Sequence, residues 1–366
     1  MMSNDSVETS VKCIRRPLDE RLFVEPFEAV PRARGYVEQV CPTSEGLRVS
    51  GWMLIPEAPF TRIDIYLDGV KVAQAQPHPT DGVRRAFKWI PHATNAGFHV
   101  ILPQFKPGAQ HEGRVDMLGF VGDYATGTLG TWFSTDLDAR IPAPSPELIE
   151  RVAAHKNQHF FRVTGLKNFG EFLSAVRRHR PVSSVRRVLD WGCGCGRLAS
   201  HFLTLPQVEV DGCDIDGEAV GWCKENLPEG RFVKSDLWPP LPYDDGTFDL
   251  IIAFSVFSHL DRNAQAKWLA ELKRVLAPGG LLLASVHGPF AARFSFQDDY
   301  FKRLANGIFD IDDTRLDGIA PDQYYRGTFQ TPSYTRSEWG RHLDVIDYIE
   351  RGISNHHDMV VLRRSR

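Results

Sequence analysis

The 366 residues are 42% hydrophobic and 24% charged, with a formal net charge of −3. This is the composition of an ordinary globular protein, long for one domain and comfortable for two. It lacks the overall basic excess that a phosphate backbone demands, so no nucleic-acid partner is expected.

The first residues, "MMSNDSVETSVKC", contain no apolar run of the kind a secretion signal needs. The longest apolar runs, "LIIAFSVF" (250–257) and "LLLASV" (281–286), are far short of a bilayer span and suit buried strands. Six cysteines in such a chain argue against a disulfide framework. The expectation is a cytoplasmic protein with reduced thiols and no membrane span; a homo-oligomer is compatible with the sequence.

After an N-terminal extension (1–30), residues 31–137 read as an all-β sandwich. Short, often alternating runs lie at 47–55, 62–69, 70–76, 84–90 and 98–103, with further candidates near 113–121 and 129–134. Asp68-Gly69 between two of them is a type I′ hairpin signal. Prolines 142, 144 and 146 stiffen a linker over 138–146. Ser145 then offers an N-cap with Pro146 at the first helical position.

From 147 to 366 the pattern alternates helix and strand. Helices are expected at 147–160 and 167–179, and strands at "RRVLDW", 208–214, 231–236, 248–254 and 280–286. This predicts an α/β domain with a parallel, Rossmann-like sheet. The first strand runs into "GCGCG" (192–196), and "RLASHF" opens a helix. Glycines allow a sharp turn and a close ligand approach, and the helix start offers free N–H groups. Gly194, Gly196 and Ala199 formally satisfy a dinucleotide motif, with Asp214 at the distance of a ribose contact, so an NAD(P)-dependent oxidoreductase is one alternative. Cys193 and Cys195 form no C-x-x-C pair with Cys213 or Cys223, so no metal site is expected.

The pattern hydrophobic-x-Asp-x-Gly-x-Gly-x-Gly in "VLDWGCGCG" resembles motif I of the class I S-adenosylmethionine (SAM) methyltransferases. "DGCDID", "FVKSDL", "FDLIIAFSVFSHL" and "LAELKRVLAPGGLLLASVHG" follow in order and resemble that family's later motifs. The resemblance covers about 147–366 and implies a seven-stranded sheet with an antiparallel C-terminal hairpin, which "HLDVIDYIERGISNHHDMVVLRRS" (342–365) suits. It implies SAM as cofactor. Asp190 would lie near the methionine moiety, with Gly192, Cys193, Gly194 and Gly196 forming the turn. Asp214 would take the ribose hydroxyls, beside Ile215, and Asp236 the adenine end with the Leu237 backbone. Phe254 and Ser255 would complete the pocket after the fourth strand. Arg162 is a candidate for the SAM carboxylate. The related bacterial group often carries Gln where this tail has His357. Members often occur beside glycan-building enzymes, and the N-terminal module is similar to Ig-like modules of bacterial glycosyltransferases.

Methyl transfer needs alignment of nucleophile and methyl, and a base only where the acceptor must lose a proton early. His259 and His287, near the ends of strands four and five, are the candidate bases. An insert at 289–340 carries many aromatics and the acids "DIDD" (310–313). Half of these suit a satellite core, and the rest a lid over a hydroxyl-rich acceptor, with Tyr324 and Tyr325 as contacts. The expected activity is methylation of a small-molecule or glycan acceptor at a hydroxyl. A non-catalytic binding protein with this fold is a further alternative.

Overall fold

The computed structural model describes residues 19–105, 110–313, 318–321 and 323–365. Residues 1–18 of the expected N-terminal extension lie outside the described residues. The chain divides into two compact units, with the boundary between Asp136 and Leu137.

The first unit holds β1 (Arg34–Thr43), β2 (Gly46–Leu54), β3 (Arg62–Leu67), β4 (Val70–Ala75), β5 (His78–Pro79), β6 (Asn95–Leu102), β7 (Glu112–Val121) and β8 (Tyr124–Ser134). They form two four-stranded sheets, ordered β1-β2-β6-β5 and β4-β3-β7-β8, with antiparallel pairing throughout. One core joins them: Val49, Met53 and Phe98 from the first sheet meet Ile63, Ile65, Val115 and Met117 from the second. Asp68 and Gly69 connect β3 to β4 with φ of 48° and 81°, the pair of positive angles a type I′ turn requires.

Two elements depart from expectation. The run 84–90 is not a strand. Residues Asp81–Ala86 form the short helix α1, because Val83, Phe87 and Ile90 recur at helical spacing and all are buried. Strand β1 escaped the pattern because its pairing with β2 shifts register between Val37 and Gln39, which breaks the two-residue alternation.

In the second unit, α2 (Leu137–Arg140) occupies the start of the expected linker. Helix α3 (Pro146–Ala153) begins where Ser145 accepts the Leu148 N–H at 3.3 Å, and ends on Ala154 in the left-handed region. Helix α4 (Gln158–Arg177) is one continuous 20-residue helix capped by Asn157, not two stretches. The expected gap at 161–166 is helical too, and it includes Gly165. This glycine allows α4 to pack closely: a Cβ there would sit 2.8 Å from both the Arg197 carbonyl oxygen and His201 Nε2.

The sheet contains β9 (Arg187–Trp191), β10 (Glu209–Asp214), β11 (Arg231–Lys234), β12 (Phe248–Ala253), β13 (Leu276–Val286), β16 (Asp344–Ile353) and β17 (His357–Arg363), while β14 (Ile308–Asp312) and β15 (Arg326–Gln330) pair separately. Their order is β11-β10-β9-β12-β13-β17-β16. The first five run parallel, and β17 enters antiparallel between β13 and β16. That inserted last strand gives the class I methyltransferase topology, not the all-parallel dinucleotide fold. Between strands lie α5 (Ala199–Phe202), α6 (Gly217–Asn226) and α7 (Arg262–Val275), and α8 (Pro289–Phe296) opens the insert. Trp191, Trp268, Phe257 and Trp339 pack as one aromatic cluster beneath the carboxyl edge of the sheet. Among the described residues no helix is long and apolar enough to cross a membrane.

Candidate functional site

Parallel strands present their carboxyl ends at one edge, and the connections leaving β9, β10, β11 and β12 enclose a cavity there of about 290 Å³. This is near the lower end of small-molecule pockets, about 300 Å³. Its floor is the turn after β9. Gly192 (φ 77°) and Gly194 (φ 51°) both adopt the left-handed region. A Cβ on Gly192 would lie 2.3 Å from Val256 Cγ2, and one on Gly194 2.8 Å from Val152 Cγ1 of α3. Backbone and space both demand glycine.

Two carboxylates face this turn. Asp190 is 2% exposed, and its Oδ2 accepts the Ala199 N–H at 3.1 Å. Burial lifts its pKa to about 7, and the charge of Asp214 adds to the rise. Asp214 Oδ2 accepts the Gly194 N–H at 2.7 Å and Oδ1 the Asp216 N–H at 2.9 Å, so its carboxylate braces the glycine turn. Burial raises its pKa against these hydrogen bonds. Each oxygen still has a lone pair for a hydroxyl donor. Asp216 caps α6 by accepting from Glu218 and Ala219, and pairs with Arg151 at 3.2 Å.

On the opposite side stands His259, 2% exposed. Its Nδ1 lies 3.0 Å from the Arg326 carbonyl oxygen, which only accepts, so Nδ1 carries the proton. Nε2 is then an acceptor, 3.2 Å from Ser255 Oγ. Ser255 itself has φ 59°, unusual for a side-chain-bearing residue, and donates its N–H to Ser285 Oγ at 2.7 Å. Tyr325 stacks on His259 with ring centres 4.3 Å apart and planes 7° from parallel.

Of the residues singled out from sequence, Asp190, Gly192, Cys193, Gly194, Asp214, Ile215, Phe254, Ser255, His259, Tyr324 and Tyr325 line this one cavity. Tyr324 is held at the β11 end: its hydroxyl donates to the Leu237 carbonyl and accepts from Trp268 Nε1. Gly196 lies beneath the turn, where a Cβ would meet Leu227 Cδ1 at 2.5 Å. Asp236 is exposed, and Ser235, not Asp236, lines the cavity. Arg162 donates to Asp138 and to the Ile141 carbonyl and does not reach it. His287 lies just outside the lining, its ring centre 5.9 Å from that of His259.

Arg197 and His357 line the cavity and were not singled out as binding residues. Arg197 follows the last glycine directly, which was the available signal. Its guanidinium lies 4.6 Å over the Phe254 ring, and its Nε has no hydrogen-bond partner among the described residues. Burial lowers its pKa without discharging it. Cysteines 193, 195, 213 and 223 are free and buried. Hydrogen bonding to Cys223, then burial, raises Cys193, and burial holds Cys195 at about 12, so both remain thiols and fill space.

This donor set fits SAM. The glycine turn lines the cavity with backbone free of side chains, Asp214 offers acceptors for a diol, and Arg197 carries an N–H without a hydrogen-bond partner among the described residues that suits a carboxylate.

Residues 188–280 match the family model described as a methyltransferase domain. Over 148 residues the chain is 31% identical to malonyl-[acyl-carrier protein] O-methyltransferase of Halalkalibacterium halodurans, covering 38% of this chain and 53% of that protein. It is 36% identical over 115 residues to phthiotriol/phenolphthiotriol dimycocerosates methyltransferase 1 of Mycobacterium ulcerans, covering 29% of this chain and 40% of that one. The chain thus spans about half the length of these curated relatives. Among solved structures, a SAM-dependent methyltransferase from Methanosarcina mazei aligns with TM-score 0.41 and 16% identity, over 52% of this chain and 97% of that one.

Proposed function

We propose that this chain, whose second unit contains a class I SAM-dependent methyltransferase domain, transfers the methyl group of SAM to a hydroxyl of a small-molecule or saccharide acceptor. One observation carries the reading: a glycine turn braced by Asp214 and a proton acceptor, His259 Nε2 beside the Ser255 hydroxyl, share the same cavity.

When bound, SAM supplies an activated methyl, and the protein's task is alignment. Asp214 would hold the ribose hydroxyls, Arg197 the carboxylate, and Ser235 with Tyr324 the adenine end. Asp190 keeps the helix start after the turn in place through Ala199. His259 is positioned by Arg326 to receive the acceptor proton on Nε2. The buried wall of Trp191, Leu260 and Trp268 limits the access of water.

Calorimetry with S-adenosylhomocysteine tests the cofactor. Micromolar binding to the full chain is expected, with none of NADH, and Asp214→Ala should weaken it at least about tenfold, the value of one lost charge-assisted hydrogen bond. Binding of NADH instead would establish an oxidoreductase. Transfer of labelled methyl from SAM into fractions of a cell extract, followed by mass analysis, identifies the acceptor and the methylated atom. Absence of any transfer would favour a non-catalytic binding protein.

A further inference from the structure

Strand β13 ends at Val286, and its antiparallel partner β17 begins at His357, with Val286 opposite Asp358. The register therefore places His287 beside His357, and the β16–β17 turn adds His356. Ligating atoms of these three histidines all lie within 4.8 Å of one another. Their ring centres are 4.6, 5.3 and 6.1 Å apart. Three imidazoles bound to one tetrahedral ion at 2.0–2.1 Å would place ring centres about 5 Å apart.

The tautomers suit ligation. His287 Nδ1 lies 3.2 Å from the Thr328 carbonyl oxygen, which fixes the proton there and leaves the lone pair on Nε2. His357 Nδ1 is buried with no hydrogen-bond partner among the described residues. Such a group pays for its desolvation with nothing in return. His357 faces the cavity of the candidate site.

We propose that His287, His356 and His357 form a tri-imidazole site for a divalent transition-metal ion of the zinc class, with its open position toward the acceptor end of the cavity. The cysteine spacing gave no hint of it, because its ligands come from two distant segments joined only by the β13–β17 pairing. The acceptor role rests on the methyl-transfer reading. There, a hydroxyl coordinated at the open position would ionise more readily, and its proton would pass to His259 Nε2.

The test uses the full chain, stripped with a chelator and titrated with Co²⁺ alone, followed by its visible ligand-field absorption. One equivalent with tetrahedral bands is expected. His356→Asn and His287→Asn, neither of which lines the cofactor cavity, should each weaken Co²⁺ about 100-fold or more. Both should bind S-adenosylhomocysteine within twofold of the parent. Absence of bands in the parent, or variants that titrate like it, overturns the site. A parent that binds Co²⁺ but not S-adenosylhomocysteine keeps the metal site and sinks the methyl-transfer reading. Should the variants fail to fold, an anomalous-scattering peak in a Co²⁺-soaked parent crystal decides the matter. A peak between the three rings supports the site, and none there overturns it.

Discussion

At the scale of single residues, the cavity divides by chemistry. Carboxylates stand at the ends of β9 and β10, and the imidazoles of His259 and His357 on the side of β12 and β17. His259→Ala removes the proposed proton acceptor while leaving the glycine turn untouched. It should lower the rate of methyl transfer about 10²–10⁴-fold with S-adenosylhomocysteine affinity unchanged, measured by labelled-methyl assay and calorimetry. Asp190 makes a prediction about pH. Its folded-state pKa is raised to about 7, so it costs nothing below the ordinary carboxylate value of 3.8, where both states hold the proton. Between 3.8 and 7 the unfolded chain releases that proton and the folded chain keeps it. Stability therefore falls as pH rises through that window, by up to ~4 kcal/mol. Asp190→Asn should flatten this part of the profile in urea titrations from pH 4 to 8 and be the more stable protein at the upper end, without ligand. Asp190, Asp214 and His259 were legible in the sequence because the first two sit at the carboxyl ends of strands of recognisable pattern and the third follows another. Arg162 was drawn from a helix that turns its guanidinium to Asp138, whereas Arg197 sat unremarked after the last glycine.

Elements show where local pattern suffices and where it fails. A cap was readable: Ser145 starts α3 with the expected side-chain acceptor. Alternation misled at 84–90, where burial follows helical spacing, and the expected gap between helices at 161–166 is helical, with Gly165 closely packed inside α4. The insert's aromatics divide as pattern alone cannot predict. Phe296, Tyr300, Phe309 and Phe329 close a satellite core with Ala291, Ala292 and Leu304, while Tyr324 and Tyr325 turn to the cavity. Of its acids, Asp310 and Asp312 are held by Arg326, and Asp313 lies 3.5 Å from His259. The turn after β9 is the element most sensitive to change. Gly192→Ala adds left-handed strain of about 1–3 kcal/mol and a clash with Val256. Thermal unfolding should register the loss. Adding Val256→Ala should recover the part due to the clash and leave the part due to φ, which separates the two causes.

For the whole molecule, each unit owns a core: Val49, Ile63 and Met117 in one, Leu189, Ile251 and Leu282 in the other. A fragment of residues 137–366 should fold and bind S-adenosylhomocysteine within about threefold of the full chain, since every cavity residue lies in that unit. Loss of binding in a folded fragment would assign the first unit a direct part in the site. The fold of the second unit was legible because its strands alternate with helices in a fixed motif order. The role of the first was not: its alternation specifies a sandwich core and no chemical constellation. Long-range juxtapositions such as His287 with His357 depend on strand order, which no local window contains.

The position of β17 also governs how this fold is completed in time. Strand β13 is complete at Val286 with β12 already beside it, yet its neighbour on the other side comes only with residues 357–363. Until those residues leave the ribosome, Leu281 to Val286 present an apolar edge with open backbone groups, the template on which chains join one another. Nascent chains of this protein thus pass through a window of vulnerability that closes only when β17 arrives. Premature termination ahead of β17 would produce a sticky product, not a merely shortened chain.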